Sequence, residues 1–124
     1  MIKIDKNMAL MLYKKMNKYT GGAFGIRDEG LLDSALESIY QEFGGVELYK
    51  GVEMKSARLC FNIIKNHPFI DGNKRLGVYI MLVYAYLNGL YIKLSDDEII
   101  DLGMNVASGK YDFNDILNII NNSV

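Results

Sequence analysis

The stretch HPFIDGNKR, residues 67 to 75, holds the only histidine and the only proline of the chain. Beside them stand a carboxylate, a glycine, an amide and two cations. A helix that begins around Gly72 to Arg75 has first N–H groups with no intrahelical acceptor, and they point outward. With the positive end of the helix dipole they form a site for an anion. Gly72 lets the main chain come close to a ligand or adopt a positive φ. Lys74 and Arg75 add fixed positive charge, and a guanidinium matches phosphate oxygens in geometry. Asp71 is a hard oxygen ligand of the kind Mg²⁺ accepts beside substrate phosphates. His67 supplies a base, because a histidine side chain ordinarily has its neutral form well populated near neutral pH and can take a proton from an attacking hydroxyl. Phosphoryl transfer needs little more, since it depends mainly on positioning and charge neutralisation.

Taken singly, each residue has a plainer reading. A histidine near a helix end can be a cap, Asp71-Gly72-Asn73 reads as a turn, and Lys74-Arg75 as a solvated helix start. Cations at a helix start oppose the dipole, however, and need a reason. Their clustering favours a site. The stretch is not a Walker A loop, because GxxxxGK[ST] is absent.

The elements that must position these residues read as helices. Asp5 can cap a first helix over roughly residues 6–18, with Met8, Leu12 and Met16 on one face. TGGAFG, residues 20–25, interrupts it. Asp28 can cap a second helix through Leu31, Leu32, Ala35, Leu36 and Ile39. FGGVELYKG, residues 43–51, has turn glycines around a short extended run and predicts a small hairpin. A third helix over about 52–65 carries Ala57, Cys60, Phe61 and Ile64, and it ends near His67, whose αR conformation Pro68 disfavours. The motif then feeds a fourth helix, about 73–88, which stops at Asn88-Gly89. YIKL, residues 91–94, is extended in character but lacks a partner strand. Ser95 and Glu98 match a capping box for a fifth helix, and Asp112 can cap a last one bearing Ile116, Leu117 and Ile120. The expectation is one all-α domain, residues 1–124, with the fourth helix at its centre because that helix is apolar nearly all round.

Composition bounds the rest. The 124 residues suffice for a single core, and a net charge of -1 gives no footprint for duplex nucleic acid. Cys60 has no partner for a disulfide and reads as a core thiol, which fits a reducing cytoplasm. VYIMLVYAYL, residues 78–87, is only half a membrane span, and MIKIDKNMAL has no signal-peptide pattern. A membrane role is therefore not expected.

HPFIDGNKR closely resembles the signature of the Fic/Doc superfamily, specifically its Doc (death-on-curing) branch. That pattern is His-x-Phe-x-Asp/Asn-Gly/Ala-Asn-Lys-Arg, and His67, Phe69, Asp71, Gly72, Asn73, Lys74 and Arg75 fill every specified place. GIRDEGLLDSALE (25–37), FGGVELY (43–49) and NVASGK (105–110) are similar as well. The resemblance implies an all-α core with the motif between two central helices. It implies His67 as the base, Asp71 as the residue that binds or orients Mg²⁺, and Asn73 with the Gly72 and Lys74 main chain as phosphate holders. Arg75 would neutralise the transferring group, and Phe69 would fix the loop to the core. Gly44, Gly45, Val46, Glu47 and Leu48 would form a flap that aligns a target segment by main-chain pairing.

Two positions depart from the AMP-transferring Fic enzymes: Lys74 stands where they have Gly, and Val78 where they have a second Arg. Doc-type enzymes share both features. The resemblance therefore implies a kinase-like toxin that passes the γ-phosphoryl of ATP to a threonine of elongation factor Tu, halting translation, with a Phd-type antitoxin as partner. No internal Ser/Thr-x-x-x-Glu-Gly/Asn inhibitory motif occurs, so inhibition in trans is expected. Transfer of AMP or UMP, and a non-catalytic binding module, are the alternatives.

Overall fold

Helix α4 (Asn73–Leu87) buries Leu76, Val78, Ile80, Met81, Tyr84 and Ala85 on opposite sides of its axis, so other helices must cover more than one of its faces. The computed structural model, which describes all 124 residues, supplies them from α1 (Lys6–Thr20), α3 (Gly51–Asn66) and α5 (Asp96–Ala107). Helix α2 (Glu29–Glu37) and α6 (Phe113–Asn121) close the bundle against α3. The fold is all-α, with one two-residue-stranded hairpin, β1 (Glu42–Phe43) and β2 (Val46–Glu47). No helix is long and apolar enough to cross a membrane.

Two hydrophobic clusters flank the α3–α4 pair. Ala9, Tyr13, Met16, Leu32, Leu36, Leu59, Ile63, Leu76 and Ile80 fill one. Cys60, Ile64, Val78, Met81, Leu102, Val106, Ile116 and Ile120 fill the other. Helix α3 is thus two-sided, where the sequence suggested one apolar face. The two helices cross closely at Gly77, where a Cβ would stand 2.5 Å from Ile64 Cγ1 and 3.1 Å from the Cys60 carbonyl oxygen. Burial pushes the Cys60 thiol well above its usual range, in keeping with a core role.

The expected caps are present. Asp5 accepts from the Met8 N–H and Asp28 from the Leu31 N–H. Full capping boxes form at Ser95–Glu98 and Asp112–Asp115. Three details differ from the sequence reading. The inward face of α1 is Ala9, Tyr13 and Met16, because Tyr13 takes the core place assigned to Leu12. Helix α2 ends at Glu37, and Ser38–Tyr40 tightens into a 3₁₀ turn. YIKL forms no strand: Ile92 is buried, and the Lys93 N–H donates to the Ser123 carbonyl.

Candidate active site

Helix α3 ends because His67 turns left-handed, with φ 53° and ψ 53°. It is the only non-glycine residue of the chain with a positive φ. For such a residue this conformation is strained, and it persists only where the surroundings enforce it. The enforcement comes from the segment between α1 and α2. Arg27 Nε donates to the His67 carbonyl (2.6 Å) and Arg27 Nη2 to the Asn66 carbonyl (2.8 Å). The N–H groups of Arg27 and Asp28 both donate to the Pro68 carbonyl, and Ile70 N–H donates to Gly25. Ile26 and Phe69 form an isolated antiparallel bridge within this ladder.

Phe69 is fully buried and stacks on Tyr13, centroids 3.9 Å apart. Phe24 covers the other face of Tyr13 at 5.0 Å. The Tyr13 hydroxyl donates to the Asp71 carbonyl (3.0 Å), so one side chain seats the loop by its ring and its oxygen. Gly72 follows with φ 87°, and a Cβ there would stand 3.1 Å from Met16 Cε. Glycine is needed at this place for both reasons. Helix α4 then starts with no side-chain cap. His67, Asp71, Lys74 and Arg75 are all exposed around that start.

The stretch thus sets an exposed histidine on a strained cap of α3 and, a few residues on, an uncapped, cationic start to α4. The sequence model of the Fic/DOC family matches residues 3–85, which span α1 to α4 and include the whole motif. The chain belongs to the Fic/DOC family. A Toxin Doc from Mycolicibacterium smegmatis is 32% identical over 77 residues, covering 62% of this chain and 59% of that relative. The chain thus spans well under two thirds of that relative's length. Enzymes of the Fic/DOC family transfer nucleotide-derived groups to proteins.

Within this Fic/DOC site, one residue takes a different part from the one expected. The Asn73 side chain is 98% withdrawn from solvent (2% exposed). Its Nδ2 donates to the Phe69 carbonyl (2.9 Å), and its Oδ1 accepts from the Phe69 N–H (3.0 Å). Both ends of the amide are used in closing the loop, which leaves the main-chain N–H of Asn73, not its side chain, free to meet a ligand. Phe69, whose main chain this amide holds, is the buried residue of the loop.

Asp71 Oδ1 accepts from the Gly72 N–H (2.8 Å), while Oδ2 lies against Gly22, where a Cβ would approach to 2.6 Å. No group of three or more His, Cys, Asp or Glu side chains is gathered that could hold a metal. A single carboxylate nonetheless fits Mg²⁺, which keeps several waters and is bound by one or two carboxylates plus substrate phosphates. Arg75 lines a groove of about 570 Å³ with Lys15, Met16, Tyr19, Tyr79 and Ile99. Lys74 and Arg75 also face a smaller hollow against Gly103, whose missing Cβ lets α5 approach the Lys74 carbonyl.

The hairpin is not joined to this cluster. Gly44 and Gly45 have φ 59° and 80°, the pattern of a tight primed turn, and every residue from Glu42 to Leu48 is exposed. Its tie to the helices is Lys55, 1% exposed, which donates to Glu47 Oε1 (3.0 Å) and to the Tyr49 carbonyl (2.5 Å). Lys55 lies in the second turn of α3, a helix of 16 residues and so about 24 Å long, while His67 closes its other end. No hydrogen bond links Gly44–Leu48 to residues 67–75. The sequence reading also passed over Tyr13 and Arg27. Their loop contacts cross 58 and 40 residues, a separation at which local spacing carries no signal.

Proposed function

We propose that this chain is a Doc-type toxin that transfers the γ-phosphoryl of ATP to a protein hydroxyl, by resemblance a threonine of elongation factor Tu. Its action halts translation in the cytoplasm, and a Phd-type antitoxin restrains it. The observation that carries the reading is the exposed His67 on its strained cap, in one short loop with the uncapped start of α4 that bears Lys74 and Arg75.

The main-chain N–H groups of Asn73, Lys74 and Arg75 receive phosphate oxygens, and Lys74 and Arg75 balance their charge. The His67 imidazole accepts the proton of the target hydroxyl as that oxygen bonds to the γ-phosphorus. The bond from the γ-phosphorus to the β–γ bridging oxygen breaks, and ADP leaves. Asp71 would hold Mg²⁺, whose chemistry here is neutralisation of the phosphate charge.

Val78 favours this reading over nucleotide transfer. It is fully buried in the cluster between α3, α4 and α5. An arginine there would bury an unpaired charge, so the second phosphate clamp of the AMP-transferring enzymes has no open place. Intact-mass analysis of a modified target decides the matter: a phosphate adduct supports the reading, and a nucleotide adduct overturns it. His67→Ala should abolish both the adduct and growth arrest on expression. Arrest that survives this substitution would mean that binding, not chemistry, stops growth.

A further inference from the structure

The left-handed backbone of His67 costs free energy on its own, and Pro68 adds to the strain by favouring extended conformations at the preceding residue. Released from restraint, His67 would relax toward extended backbone, and the direction in which its ring projects would change. The restraint with the best geometry is the Arg27 fork on the Asn66 and His67 carbonyls. Those carbonyls end α3, where a cation also meets the negative end of the helix dipole. Arg27 is itself exposed, so water can replace the fork without loss of the fold.

We propose that Arg27 is a positioning residue: by holding the two last carbonyls of α3 it fixes the backbone from which the His67 imidazole projects, and so sets the aim of the base. This rests on His67 being the base of the transfer proposed above. Arg27 spends Nε and Nη2 on these two carbonyls and has no part in holding phosphate in the transfer proposed above, so its loss should act on turnover and leave nucleotide binding intact.

Two measurements test it. In Arg27→Met, kcat should fall about 10- to 100-fold, the scale of a misplaced reacting group, with KM for ATP changed less than about twofold. Arg27→Lys should recover part of the loss, because an ammonium can hold one carbonyl of the two. Independently, His67 is the only histidine, so its ring protons give an unambiguous NMR signal without ATP or target. Arg27→Met should shift or split that signal, with Arg27→Lys in between. Wild-type turnover in Arg27→Met overturns the proposal, as does a rise in KM for ATP equal to the fall in kcat. Should Arg27→Met fail to fold, Arg27→Lys carries the same two measurements. If the wild-type chain transfers nothing from ATP, the kinase reading fails alone and the NMR signal decides: moved, Arg27 aims the ring; unmoved, it does not.

Discussion

At the start of α5, Ser95 and Glu98 satisfy each other's main chain, and Asp96, Asp97 and Glu98 place three negative charges in the first turn. At the start of α4, no side chain caps the helix, and the first turn carries Lys74 and Arg75 instead. Cations at a helix start oppose the dipole, whereas the acids of α5 are favoured by it. The α5 start is complete within the chain. In the proposed function the α4 start is completed by an anion from outside, which supplies acceptors for its first N–H groups and negative charge beside Lys74 and Arg75. What distinguishes a binding helix end from a structural one is thus the absence of an internal answer, together with a rigid seat that holds the end open.

The seat offers the strongest way to break the comparison. Phe69→Ala removes a fully buried ring from beneath the α4 start and should cost about 3–5 kcal/mol in denaturant unfolding. The loss should appear on the α1–α4 side first, with the α5 start still protected in amide exchange. A cost under about 1 kcal/mol would mean that the loop does not depend on its ring.

Arg75→Ala probes the open end itself. Turnover should fall by about 10²-fold, or about 2.7 kcal/mol, with the unfolding midpoint nearly unchanged. ATP should stabilise the wild-type chain in thermal unfolding by more than it stabilises this variant. Unchanged turnover would take Arg75 out of the site.

Asn73→Ala separates holding the loop from holding phosphate. It leaves the Phe69 N–H and carbonyl without partners in a buried place, so about 1–3 kcal/mol of stability should be lost. Were Asn73 a phosphate ligand through its amide, stability would stay put and KM for ATP would rise.

Most of the fold was legible because its signals are local. Asp5, Asp28, Ser95 and Asp112 each act on a residue three places along, and the apolar run of α4 marks the central helix, although spacing showed only one of the two inward faces of α3. Tyr13 was not legible: a tyrosine on α1 is ambiguous until Phe24 and Phe69 are known to sandwich it. The motif's residue types suggested a chemistry, but gave no sign that the Asn73 amide closes the loop. Nor could spacing show that the hairpin is tied to the start of α3 by Lys55, because this depends on where a long side chain ends.

The smallest effect tests the closed end of the comparison. Ser95→Ala should cost about 1 kcal/mol at neutral pH, the usual loss for a helix cap. The Ser95 main-chain N–H, more than its hydroxyl, holds the Glu98 carboxyl below the usual range. A carboxylate whose pKa is depressed by folding stabilises the protein above its unfolded pKa, and that contribution vanishes as pH falls through the folded pKa. The wild-type chain should therefore lose stability on acidification relative to Glu98→Gln, which keeps an acceptor but cannot titrate. The gap between the two should close once pH is below the depressed value. At α4 the Asp71 carboxylate reaches only the Gly72 N–H, and none accepts from the N–H groups of Asn73, Lys74 or Arg75, so amide exchange at those three should not follow the acidification. A parallel response at both helix starts would show that they do not differ in the way their first turns suggest.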